Sequence, residues 1–103
     1  MVNTLVTHKK HKGICCVSKE LTNHYIINVG LRDTKKVSKS SVKVVDTSNC
    51  KTITFTDFRV MSMTNKVDTN VIVGNELKQY VGIGWVTVRL VTYDDLKKYP
   101  RVV

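Results

Sequence analysis

A chain of 103 residues can hold one compact domain or two very small ones, and a hydrophobic content of 42% excludes a disordered chain. Lys and Arg number 17 against 8 Asp and Glu, a formal net charge of +9, which predicts a polyanionic partner, nucleic acid first among them. No apolar run nears the ~18 residues of a membrane helix, which predicts no membrane role, and Met1–Thr7 is too short for a secretory leader, which predicts the cytoplasm.

In chain order, His8-Lys9-Lys10-His11-Lys12 reads as an exposed basic arm, and Gly13 opens a strand over Ile14–Ser18. Lys19–Asn23 turns the chain into a second strand, His24–Val29, which ends at Gly30. Arg32-Asp33-Thr34 turns again, Lys36–Ser38 is a short third strand, and Lys39-Ser40-Ser41 suits a tight or 3₁₀ turn before a fourth strand, Val42–Asp46. Four strands with short turns at this spacing predict a small bent sheet or barrel.

Thr47-Ser48-Asn49 reads as a linker. Lys51–Phe55 alternates like a strand, and Thr56–Met63 fits either a short helix capped by Thr56 or a continuing strand. Thr64-Asn65-Lys66 reads as a turn, Asn70–Val73 as a strand and Gly74-Asn75-Glu76 as its turn. Tyr80–Val91 reads as one strand region with Gly82 and Gly84 inside it. Alternation there puts Val86, Val88 and Leu90 on a core face and Trp85 at a junction between two β units. Thr92 and Asp95 form a capping-box-like start, and Pro100 stops the single helical turn that follows. Lys12–Ser18 parallels Val81–Thr87 as Gly-Ile-x-x-Val-Ser/Thr, a hint of a repeat on either side of Asn49.

The expected fold class is therefore mainly β: an SH3-like small barrel over residues 1–48 plus a second small β-rich unit over 49–103 with one or two short helical turns. The order Lys12-Gly13-Ile14, His24–Val29 and Ser40–Asp46 resembles the KOW and Tudor-like group of SH3-like barrels. The ending, Val81–Val86 with Asp95–Val102, is similar to the ends of small accessory proteins of T-even-type phages. The two resemblances together imply a DNA-binding protein made in a bacterial host's cytoplasm that modulates transcription.

No catalytic constellation stands out. Cys15, Cys16 and Cys50 are an odd number and read as reduced thiols, with Cys15 and Cys16 pointing to opposite faces of a strand. A zinc site at His8, His11, Cys15 and Cys16 lacks a second ligand pair, and His24 beside those cysteines lacks an orienting third group. Asp94-Asp95 is explained by helix capping, and Gly82-Ile83-Gly84 lacks the rest of a phosphate loop. These readings predict a non-enzymatic protein with no cofactor and no metal.

Residues 1–50 carry nine of the basic residues and only three acids. Lys9, Lys10, His11 and Lys12 form one cluster, and Lys35, Lys36, Lys39 and Lys43 another. Turns at one rim of a small barrel would merge them, with Arg32 nearby and Tyr25 as a stacking ring. Scarce arginine predicts phosphate contacts rather than base reading, and hence duplex DNA bound without strong sequence preference. The alternative is a protein–protein module acting on a host polymerase or nucleoid protein.

Overall fold

The computed structural model describes residues 2–64 and 69–103. Two five-stranded sheets form, one from each side of residue 49, and the expected mainly-β class with short helices is what the chain adopts.

The first sheet contains β1 (Leu5–His8), β2 (His11–Glu20), β3 (His24–Gly30), β4 (Asp33–Ser38) and β5 (Val42–Val44), with a 3₁₀ turn at Lys39–Ser41. Its order is β4-β3-β2-β1-β5, antiparallel throughout. β1 was not expected, because four residues at the chain start give little alternation to read. Tertiary contacts make the strand: it lies between β2 and β5, and Leu5 and Val6 are buried. The basic run is therefore no free arm. His8 ends β1, His11 begins β2, and Lys9-Lys10 is the turn between them.

The second sheet contains β6 (Thr52–Ile53), β7 (Asn70–Val73), β8 (Glu76–Tyr80), β9 (Trp85–Leu90) and β10 (Arg101–Val102), in the order β6-β10-β7-β8-β9. β10 runs parallel to β6 and β7. Helix α1 (Phe55–Thr64) follows β6, and α2 (Tyr93–Lys98) precedes β10. The helical alternative holds for 56–63, but Thr54 rather than Thr56 caps it: its Oγ1 accepts the Asp57 N–H at 3.0 Å, and its carbonyl accepts the Phe58 N–H. The expected capping box on α2 is present in full, with Thr92 and Asp95 exchanging hydrogen bonds. The turn read at Thr64-Asn65-Lys66 lies largely outside the described residues.

Residues 81–84 are a loop between β8 and β9, not strand interior; Gly82 takes φ +94 there. The parallel drawn between residues 12–18 and 81–87 thus joins a continuous strand to a loop plus a strand start. Val86 and Val88 are exposed, which overturns their assignment to a core face: β9 is the outer strand of its sheet and nothing described covers that side. Trp85 is half-buried on the opposite side, with its ring 5.1 Å from Phe58 of α1 and 5.3 Å from Tyr80 of β8. It fastens α1 to its own sheet instead of filling a junction between the two.

The junction is aliphatic. Leu5, Ile14 and Cys16 from the first sheet, with Val45 just past β5, meet Ile72, Leu77, Val91 and Leu96 from the second part of the chain in one buried cluster. A second cluster, Val6, Cys15, Val17, Tyr25, Ile27 and Val37, lies within the first sheet alone. Adjacent Cys15 and Cys16 enter different clusters, as strand alternation requires. Polar contacts reinforce the seam. Gly74 takes φ +61 in the β7–β8 turn, a conformation that suits glycine. Beside it the buried Asn75 donates to the carbonyls of Ile14 (3.3 Å) and Asn28 (3.0 Å). Asn3 Nδ2 donates to the Val102 carbonyl, and the buried Arg101 guanidinium donates back to the Asn3 carbonyl.

Burial raises the Cys15 thiol and pushes Cys16 up to about 11, so neither supplies thiolate at neutral pH. Cys50 is half-exposed. An alkylating reagent at neutral pH is therefore expected to label Cys50 rapidly and the other two only as fast as the native state opens. Peptide mass mapping over a time course checks this, and rapid labelling of Cys15 would contradict the core assignment.

Candidate nucleic-acid interface

The β1–β2 hairpin sets the centre of the site. His8 pairs with His11 across the two-residue Lys9-Lys10 turn. The Lys10 N–H donates to His8 Nδ1 at 3.1 Å, which closes the turn, and the two imidazole centroids lie 5.1 Å apart. Because β1 is flanked on both sides, His8 is only 9% exposed while Lys9 and Lys10 stand in solvent.

β4 and the 3₁₀ turn supply the facing wall. A depression of about 560 Å³ is lined by His8, Lys9, Lys10, His11, Lys35 and Lys36, with Val37, Ser38, Ser40 and Ser41 completing it. Beside it lies a second depression of about 460 Å³, lined by Thr7, His8, Lys9, Ser40, Ser41, Val42 and Lys43. His8, Lys9, Ser40 and Ser41 form the wall common to both. The serines are partly ordered among themselves: Ser41 Oγ donates to the Ser38 carbonyl at 2.7 Å. Each depression is large enough for a sugar–phosphate unit.

The electrostatics are one-sided. Among the described residues, no carboxylate lines either depression. Lys35 has Asp33 at 3.8 Å, a long exposed pair of little strength. Among the described residues, Lys9, Lys10, Lys36 and Lys43 face no carboxylate, whereas Lys78, Arg89 and Lys39 are held by Glu76, Asp95 and Glu20. Burial first, then His11, Lys10 and Lys9, holds the His8 imidazole below its ordinary value.

The structure thus brings Lys9, Lys10, His11, Lys35 and Lys36 together and places Lys43 next door. The other expected members fall elsewhere. Lys12 is exposed on β2 and Arg32 sits in the β3–β4 turn at φ +59, and neither lines a depression. Lys39 turns away, with its Nζ 2.8 Å from Glu20 Oε2 and 5.3 Å over the Tyr25 ring. The Lys39 bond is the main reason the exposed Glu20 carboxyl is held low. Tyr25 is not available for stacking: it is 7% exposed, packed in the first-sheet core, with Lys39 near its ring.

Sequence reasoning missed His8, Ser40 and Ser41 as wall residues. The symmetry of His-Lys-Lys-His about a two-residue turn was the available signal for His8. The serines became wall residues only through the return of β5 beside β1.

Among the described residues, no three His, Cys, Asp or Glu gather as a metal site. Cys15 and Cys16 are in the core, and His24 stands opposite Ser38 on β4 rather than beside them. No described helix is long and apolar enough to cross a membrane. Comparison with protein-family models, with curated proteins and with solved structures found no match.

Proposed function

We propose that the protein binds duplex DNA, largely without sequence preference, by seating backbone phosphates in the two depressions at the β1–β2 hairpin. The observation that carries this reading is a pair of adjoining concave surfaces lined by lysines, imidazoles and hydroxyls, with no carboxylate among the described residues. Such a surface repels itself when empty, and a polyanion relieves the repulsion. Lysine, hydroxyl and backbone donors position a phosphate backbone without reading bases. The meander β1–β4, the 3₁₀ turn and the return of β5 beside β1 are consistent with the SH3-like reading of residues 1–48. A role in modulating transcription, in a phage setting, follows from the resemblances alone.

The test is the salt dependence of binding. Anisotropy of a labelled duplex, titrated at several salt concentrations, should give log Kobs against log [salt] a slope of about −3 to −5, as four or five phosphates predict. A slope near zero would refute the reading, as would equal affinity for an uncharged-backbone analogue.

A second reading, a protein-interaction module, has its own observation. Phe55, Val60 and Met63 on α1 and Ile83 beside β9 are all more than half exposed. Large apolar side chains left this exposed are candidates for contact with another protein. Binding through them would be insensitive to salt, which separates the two readings.

A further inference from the structure

We infer that His8 and His11 form a proton-accepting phosphate subsite: a phosphate seated in the larger depression is bound together with one proton taken up by the imidazole pair. This rests on the DNA-binding reading and adds its regulation by pH.

The geometry sets up the coupling. His8 Nδ1 accepts the Lys10 N–H, so the neutral ring carries its proton on Nε2. The His11 ring is 5.1 Å away, and both rings line the larger depression. The groups facing His8 are Lys9 and Lys10 from its own turn, His11 from β2, Lys35 and Lys36 from β4, Ser40 and Ser41 from the 3₁₀ turn, and Lys43 from β5 across the shared wall. All the charged ones are cationic. Among the described residues, Asp33 is the carboxylate beside this group, and it pairs with Lys35.

Two imidazolium charges at this separation, among lysines and with one ring buried, oppose each other strongly. The empty His8 ring therefore resists protonation. A phosphate in the same space reverses the sign of the local field and favours an imidazolium, which then donates to the anion. Proton and phosphate each raise the other's affinity by the same factor. Phosphodiesters and lysines do not titrate near neutrality, so pH dependence there belongs to histidine. His24 lines neither depression.

The sign for stability is the reverse in the free protein. The folded His8 pKa lies below the unfolded value, so the stability of the neutral ring is full above about pH 6.5 and is lost as pH falls toward the folded pKa. Acidification should loosen the empty hairpin while it tightens the occupied one.

The experiment uses the full chain and a duplex of about twenty base pairs, at fixed ionic strength with a chelator present. Anisotropy should show affinity rising about ten- to thirtyfold from pH 7.5 to 6.0, as uptake of close to one linked proton requires. Calorimetry in two buffers of different ionisation enthalpy should count close to one proton taken up per complex. His8→Asn keeps an acceptor for the Lys10 N–H and cannot take a proton. With His11→Asn beside it, affinity should no longer depend on pH, while His24→Asn should keep the wild-type dependence. Wild-type binding without proton uptake overturns this inference alone, and so does an unchanged pH slope in the double variant. Absence of duplex binding at every pH and low salt overturns the DNA-binding reading as well. The wild-type proton count stands whether or not the variants fold.

Discussion

Leu77→Ala is expected to lower the melting temperature by about 10–25 °C while leaving a single transition that takes both sheets together. Leu77 is 2% exposed on β8 and sits in the cluster that joins Leu5, Ile14, Cys16 and Val45 to Ile72, Val91 and Leu96. Truncating a fully buried leucine removes its transfer free energy and leaves a cavity, costing about 2–5 kcal/mol. Chains of this size have a total stability of about 5–15 kcal/mol, so the loss is a large fraction. The shared cluster makes each sheet the other's cover. If it couples them, opening one exposes the apolar face of its neighbour. Trp85 fluorescence reports the second sheet, and alkylation of Cys15 reports the first. In denaturant, the two probes should trace the same curve in wild type and variant. If Trp85 reports unfolding while Cys15 stays protected, residues 1–48 and 49–103 are independent units instead.

The parts of this fold that were legible in the sequence are those decided locally. β3 alternates over His24–Val29, the 3₁₀ turn carries Lys-Ser-Ser, and the Thr92/Asp95 capping box needs only its own four residues. What escaped was decided by neighbours in space. Leu5–His8 becomes a strand because β2 and β5 flank it. Tyr80–Val91 read as one strand region because glycine alternates with apolar residues through what is a loop, where only the Gly82 and Gly84 backbones reveal the reversal; β8, of which that region holds only Tyr80, was not read at all. Trp85 was assigned to the junction by size, yet α1 offered Phe58, and that helix was itself ambiguous in sequence. The site divides the same way. The convergence of Lys9-Lys10 with Lys35-Lys36 follows from hairpin geometry and was foreseeable. Tyr25 and Lys39 fall outside the depressions because residue type says neither which way a strand residue faces the core nor which partner a turn residue reaches.

The Lys9→Ala, Lys10→Ala, Lys36→Ala, Lys43→Ala variant should lose on the order of 10³-fold in duplex affinity at about 0.1 M salt. Each phosphate contact contributes about −0.9 to the slope of log Kobs against log [salt], so four lost contacts remove most of the slope and most of the affinity at moderate salt. These four lysines were chosen because they line the depressions and face no carboxylate among the described residues. Their removal should leave the fold intact, since all four are exposed and none enters a core cluster. It also relieves like-charge repulsion, so the melting temperature should hold or rise slightly. A matched control is needed, because lowering net charge by four weakens any polyanion binding somewhat. Lys12→Ala, Lys51→Ala, Lys97→Ala and Lys98→Ala remove the same charge from exposed positions outside both depressions. If the site is local, the first set should flatten the salt slope far more than the second, and both should weaken all duplex sequences alike. Equal losses from the two sets would mean that binding follows total charge, and the hairpin depressions would have no special part in it.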